Sequence, residues 1–347
     1  MTDYHVKASA TGGGDGSSSN PWTLQEAYDN GTNNFDDRVI VWADAQYNLT
    51  TSIDLDTVGK LTLVGANSSG VIDGTKPVFD GGSLPASTSG FVISTTAAFD
   101  DFNFLNIRFQ NFSYRAVSLG DYRNTRVWFG NCEFFDCGDA LSQGSFVTLT
   151  ECRFGNCDAG LAAVANRATY VTAIACVFED CLEGLGGGGA YLYAINNLFY
   201  RCRISINCIE SYGDLLVAVN NTIHGDGSVG SIGILIPENM DDLRTPGQYN
   251  GSTPLIFNNL IDNVETGFQC TGTVHNHAEA VLFPTKGNVL GDNVTDVAGG
   301  FTFSNCFDST NSTDIVVDFE NTATGSEDFS LKTTSAALGK GYPMPSS

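Results

Sequence analysis

The sequence predicts an all-β fold, a right-handed parallel β-helix (solenoid) with a short N-terminal capping helix. Three observations predict it. Charged residues make up only 16% of the 347 positions while 39 are glycine, so helix formers are scarce and turn formers abundant. A short motif recurs through the middle of the chain. Between its copies apolar and polar residues alternate with period two, as in Phe146-Val147-Thr148-Leu149-Thr150 and Tyr191-Leu192-Tyr193-Ala194-Ile195, and no ten-residue amphipathic helix intervenes.

The motif is clearest at Asn131 to Cys137 (NCEFFDC), Glu151 to Cys157 (ECRFGNC), Ala175 to Cys181 (ACVFEDC) and Asn196 to Cys202 (NNLFYRC). Asn106 to Phe112 precedes them in the same frame, and the Asn pairs at 220 and 258, Gly287-Asn288 and Ser304-Asn305 continue it. Its marker residue falls at Phe109, Phe134, Phe154, Phe178, Phe199, Ile223, Ile261, Leu290 and Phe307, with successive spacings of 25, 20, 24, 21, 24, 38, 29 and 17. A unit of about 22 residues built of short strands cannot bury its own apolar face, so it has to stack on its neighbours at roughly 4.8 Å. Drift in the period suits such a stack, because extra residues can leave from a turn; the longest interval holds an expected loop from Pro237 to Pro254. A leucine-rich repeat shares this period but needs leucine and a helical convex side, whereas Gly184 to Gly189 (GLGGGG) is hostile to helix.

Each column of the repeat has a physical reading. The phenylalanines stack as an interior ladder. Cys132, Cys152 and Cys176 form a second column that becomes Asn197, Asn221, Asn259, Asn288 and Asn305, and Cys137, Cys157, Cys181 and Cys202 form a third. Four-sulfur metal centres use close cysteine pairs, while here every rung contributes alike at C-x4-C spacing; the expectation is free, buried thiols. The asparagines read as a ladder of side-chain amides bonding from turn to turn. At the N-terminal end, Pro21 to Tyr28 carries a Thr-x-x-Glu capping box and reads as the capping helix, followed by first strands at Val39–Trp42 and Lys60–Gly65. The expected organisation is an N-terminal segment over 1–37, the coil over 38–320 and a C-terminal cap or tail over 321–347.

A formal charge of −23 opposes binding to nucleic acid or to an anionic membrane surface. No apolar run reaches the roughly 18 residues of a membrane span, and Met1 to Ala10 lacks the apolar stretch of a signal, so a chain made without a secretory leader is expected. Chemistry-bearing residues gather in one region. Two residues beyond the marker stand Asp136, Asn156, Asp180 and Arg201; five beyond it stand Asp139 and Glu183, with Asp158 and Arg203 one position off. Eight of the ten arginines fall between 108 and 203. Asp136, Asp139, Asp180, Glu183, Arg201 and Arg203 therefore form the candidate face for a glycan or a partner, against the plainer reading of turn residues with surface ion pairs. His275-x-His277-x-Glu279 places three ligand-capable groups at alternate positions, but reads better as exposed loop.

The opening Gly12-Gly13-Gly14-Asp15-Gly16-Ser17-Ser18-Ser19-Asn20-Pro21-Trp22-Thr23-Leu24, the Val71-Ile72-Asp73-Gly74 turn, the Asn-x-x-Phe coils and the closing Asp328-Phe329-Ser330-Leu331-Lys332 resemble parallel β-helix proteins of the pectate-lyase-like superfamily. That superfamily spans polysaccharide lyases, glycoside hydrolases, adhesins and phage tailspikes, so the resemblance implies the fold more than an activity. A lyase of this kind would use stacked carboxylates holding Ca²⁺ and a basic residue removing a proton α to a uronate carboxylate. The ordered motif set of polygalacturonase-like hydrolases is absent from the sequence. The character is closest to phage β-helix virion surface proteins. The expectation is a non-catalytic head-decoration or fibre-like protein, trimeric, partnered by other virion proteins and without cofactor. The alternative is an extracellular lyase or glycan-binding module, with Ca²⁺, acting through the candidate face on an acidic polysaccharide.

Overall fold

A computed structural model describes residues 2–30, 38–55, 60–93, 101–119, 125–142, 146–163, 169–187, 190–207, 216–236, 255–270, 285–286, 288–299, 316–322 and 328–338. Over these the chain is all-β, with three long parallel sheets of eleven, ten and ten strands. Each coil visits sheet 1, sheet 2 and sheet 3 in turn, as in Arg126–Gly130, Glu133–Phe135 and Asp139–Ser142, and pairs in parallel with the coils before and after it. Sheet 1 runs from Asp3–Val6 to Thr285–Lys286, sheet 2 from Tyr47–Asn48 to Val289–Leu290, and sheet 3 from Ile53–Asp54 to Thr295–Gly299.

Two tight corners per coil explain the repeat. Between sheets 1 and 2 one residue takes a left-handed backbone: Asn106, Asn131, Glu151, Ala175, Asn196, Asn220 and Asn258 have φ between 50° and 56°. Between sheets 2 and 3 the same conformation recurs at Asn111, Asp136, Asn156, Asp180, Arg201 and Asn263. Asn and Asp tolerate this region best, which is why they punctuate the sequence; Glu151, Ala175 and Arg201 adopt it because pairing on both sides fixes the corner. Length varies in all three connections: residues 67–77 join sheets 1 and 2, residues 81–90 and 225–231 join sheets 2 and 3, and from sheet 3 back to sheet 1 the chain runs through residues 143–145, 237–254 and 271–284, which lie outside the described set. The expected loop at Pro237 to Pro254, the His275–Glu279 triplet, Asn305 and Phe307 all fall outside the described residues.

The interior follows the columns read from the sequence. Phe109, Phe134, Phe154, Phe178 and Phe199 are fully buried and stack with centroids 4.7–4.9 Å apart and planes within 8°. Phe79 extends the stack towards the N-terminus at 5.8 Å from Phe109. Seven cysteines, Cys132, Cys137, Cys152, Cys157, Cys176, Cys181 and Cys202, are free and buried. Their thiols bond to backbone carbonyls, for example Cys132 Sγ to Phe104 O at 3.2 Å and Cys152 Sγ to Phe129 O at 3.3 Å. Where the column turns to asparagine, Nδ2 of Asn197, Asn221 and Asn259 donates to Oδ1 of the next Asn at 2.9–3.0 Å, the last acceptor being Asn288.

The first strand of sheet 1, Asp3–Val6, lies earlier in the chain than the sequence suggested, pairing with Arg38–Trp42. The helix following it spans Leu24–Asn30 and begins later than Pro21 because Thr23 is its N-cap: Thr23 Oγ1 accepts from Glu26 N at 3.1 Å, and Glu26 Oε2 accepts from Thr23 N at 2.8 Å. At the other end Phe319–Asn321 and Asp328–Leu331 form an antiparallel pair outside the stack. Phe319 and Phe329 pack on His224 with centroids 5.3 and 5.8 Å away, and Tyr200 Oη donates to Thr322 O at 3.0 Å, which lays this hairpin over the outer face of sheet 2.

Candidate functional site: a carboxyl row on sheet 3

The opening of each sheet-3 strand departs from simple alternation. The pairing between Arg115–Leu119 and Asp139–Ser142 matches Arg115 with Asp139 and Val117 with Leu141, and it skips the residue between. That second residue faces inward: a Cβ on Gly160 would press on the Phe178 ring at 2.8 Å, and one on Gly184 on the Phe199 ring at 2.8 Å. Small residues fill this position through the middle of the stack: Ala116, Ala140 and Ser205 occupy it almost fully buried, and Asp296 takes it only on the last described strand of sheet 3. The first residue of each strand is thereby turned outward. Arg115, Asp139, Ala159, Glu183 and Ile204 line up as a row across consecutive coils.

Asp139 and Glu183 therefore stand two rungs apart, about 10 Å at the backbone by strand spacing, with only the methyl of Ala159 between them. Arg115 Nε bonds Asp139 Oδ2 at 3.3 Å. Burial pushes the Asp139 carboxyl up from the ordinary carboxylate range; Arg115 opposes that and nearby Asp158 adds to it. Burial likewise raises Glu183, against a hydrogen bond from Asn207 and with a further push from the charge of Asp139. Two carboxyls that each resist ionisation and sense one another are suited to giving and taking protons from a ligand.

The other sequence candidates form a separate row. Asp136, Asn156, Asp180 and Arg201 are the left-handed residues of the corner between sheets 2 and 3. Asn156 Nδ2 donates to Asp136 Oδ1 at 2.6 Å. Arg201 grips Asp180 with Nε and Nη2, each at 2.5 Å, and Nη1 donates to Tyr200 Oη at 2.8 Å. This grip favours the protonated guanidinium. Arg203 is exposed and immediately precedes Ile204 of the carboxyl row.

Two relationships escaped sequence reading. Arg115 was one arginine among eight until the register set it beside Asp139. His224 Nδ1 lies 2.9 Å from Asp262 Oδ2, a pair buried between sheet 2 and the C-terminal hairpin and separated by 38 residues in sequence. The repeat frame could have signalled it, since both residues stand one position after the marker.

No protein-family model matches the chain, and no curated protein does. Among solved structures it is similar to pectate lyase Pel9A, with 13% identity and a TM-score of 0.58 over 99% of this chain and 92% of that one. It is also similar to the GH136 lacto-N-biosidase from Eubacterium ramulus (9% identity, TM-score 0.49, 91% of this chain and 68% of that one) and to a rhamnogalacturonan lyase (11%, 0.41, 92% and 91%). With three parallel sheets and this overlap with Pel9A along nearly its whole length, the chain has a pectate-lyase-like parallel β-helix fold.

Proposed function

We propose that the chain is a polysaccharide-cleaving enzyme, of the lyase class, that takes an acidic glycan across the outer face of sheet 3. The observation that carries this reading is the row Arg115, Asp139, Ala159, Glu183: two carboxyls and a guanidinium on one outward face, with a small residue leaving room between the acids. In an elimination, Glu183 as carboxylate accepts the proton α to a uronate carboxylate. The C–H electron pair becomes the new C=C bond, the glycosidic C–O bond breaks, and the leaving oxygen takes up a proton, supplied by the Asp139 carboxyl. Arg115 and the exposed Arg203 favour the negative charge of the substrate and of the transition state. Calcium ordinarily takes six to eight oxygen ligands; among the described residues no three His, Cys, Asp or Glu side chains converge, and in this reading Arg115 and Arg203 supply the positive charge.

A second reading shares the site. Inverting hydrolysis also uses two carboxyls, roughly 6.5–9.5 Å apart with a water between, and the small Ala159 between Asp139 and Glu183 leaves room for one. The virion-surface role, the trimer and the virion partners rest on the sequence resemblance alone, and the carboxyl row favours the catalytic alternative and, with it, an extracellular setting. We take the coil as right-handed, as parallel crossovers are, with the helix Leu24–Asn30 as its N-terminal cap.

The test is incubation with a panel of acidic polysaccharides, following both ultraviolet absorbance of unsaturated uronate and new reducing ends. A rise in both that Glu183→Gln abolishes supports elimination. Reducing ends without absorbance transfer the site to hydrolysis, and neither signal across the panel overturns the enzyme reading.

A further inference from the structure

The outer face of sheet 1 carries aromatic side chains that the sheet-3 row does not use. Phe146, Tyr170 and Tyr191 are in register on three successive coils, stacked at 4.8 and 4.5 Å with planes 6° apart. Beside them runs the row Asn103, Trp128, Thr148, Thr172 and Tyr193. Trp128 leans along its own strand over Gly130: a Cβ on that glycine would meet Cζ2 and Cε2 of the indole at 3.2 and 3.4 Å. The indole is fixed by Nε1 donating to Thr150 Oγ1 at 3.2 Å, and 40% of the residue remains exposed.

We propose that this surface is a binding platform for a neutral polysaccharide, separate from the sheet-3 face. Three features specify the ligand. A fixed, half-exposed indole matches the C–H face of a pyranose ring. The hydroxyls of Thr148, Thr172, Tyr170 and Tyr193 follow it on the next three coils of the same face, which a sugar's own hydroxyls satisfy and an apolar protein surface does not. Charge is the third. In a chain of net −23 the two rows hold no charged side chain on the three coils from Phe146 to Tyr193, and Arg126, beside Trp128 in the Phe146 row, is paired with Asp101 through bonds of 2.6 and 2.9 Å. A surface that repeats the same groups every rung suits a ligand that repeats along the coil axis. The ladder rings spend their faces on one another and offer edges and hydroxyls, while Trp128 offers a face.

The chain's three tryptophans make the test direct, because Trp22 and Trp42 are each only 7% exposed and a soluble quencher reports chiefly on Trp128. Acrylamide quenching is measured with a soluble β-1,4-glucan, a xylan, a galactan and polygalacturonate, on the wild type, Trp128→Ala, Tyr170→Ser and Glu183→Gln. Affinity electrophoresis in gels containing the same polymers covers Trp128→Ala, which has lost the fluorophore. The expected result is that at least one neutral polymer shields Trp128 and retards the protein, at least tenfold more weakly in Trp128→Ala and several-fold more weakly in Tyr170→Ser, with Glu183→Gln unchanged. Retained binding in Glu183→Gln separates this platform from failure of the sheet-3 reading. Shielding by polygalacturonate alone, by none of the polymers, or by raising protein concentration without glycan would overturn the proposal, the last by making the face a contact between copies.

Discussion

Asn221 donates through Nδ2 to Asn259 Oδ1 at 2.9 Å and to Ala194 O at 2.9 Å, although 38 residues separate the two asparagines. Oδ1 of Asn221 in turn accepts from Asn197 N and Asn197 Nδ2, each at 3.0 Å. The longest interval of the repeat therefore leaves the ladder unbroken, because the corner between sheets 1 and 2 keeps its geometry whatever is inserted elsewhere in the coil.

Asn221→Ala strands several buried partners at once, each costing about 1–3 kcal/mol when unsatisfied. A loss of roughly 3 kcal/mol or more in urea unfolding is expected. Asn221→Cys should cost less than Ala, since Cys176 fills the same column one rung beyond Asn197 by bonding its thiol to a carbonyl. Equal losses for Ala and Cys would show that the ladder bonds contribute little.

Gly184 is enclosed by Ser205 O at 2.7 Å and the Phe199 ring at 2.8 Å from where a Cβ would stand. Gly184→Val should destabilise by about 1–3 kcal/mol through overpacking and should displace the outward turn of Glu183 beside it. Thermal unfolding and the activity assay together check this; unchanged stability would refute the inward placement.

Glu183→Gln should lower the rate of glycan cleavage by about 10²–10⁴-fold, the usual contribution of a positioned acid or base, with the circular dichroism unchanged. Its effect on stability runs the other way. A carboxyl raised in the folded state binds its proton more tightly there than when unfolded, so it costs nothing below the ordinary Glu range near 4.3 and destabilises progressively as pH rises through its folded value. Glu183→Gln should therefore unfold at a higher temperature than wild type at pH 7, and the gap should close by about pH 4. A gap independent of pH would contradict the buried setting of Glu183.

Burial pushes the Cys132 and Cys202 thiols up, away from the reactive thiolate. The seven buried cysteines should resist iodoacetamide in native protein at pH 8 and react in denaturant without reductant. Mass spectrometry counts the adducts. Protection that persists in denaturant would mean disulfides and would contradict the free-thiol interior.

Much of the coil was legible in the sequence because a solenoid writes its contacts locally. The Phe, Cys and Asn columns recur at each turn, and an inward position stays inward on every rung, so period and residue type together determined sheet stacking, interior ladders and free thiols. The candidate face was only half legible. Asp136, Asp180 and Arg201 shared a frame with Asp139 and Glu183, but frame position does not reveal which way a side chain leaves the backbone. The skipped pairing at Ala140 and Gly184 turned Asp139 and Glu183 outward into a row with Arg115, while the left-handed corner tied Arg201 to Asp180 instead. The His224–Asp262 pair under the hairpin and the indole of Trp128 over Gly130 were likewise decided by tertiary structure, because each depends on which coil lies against which and how closely the backbone allows a ring to approach.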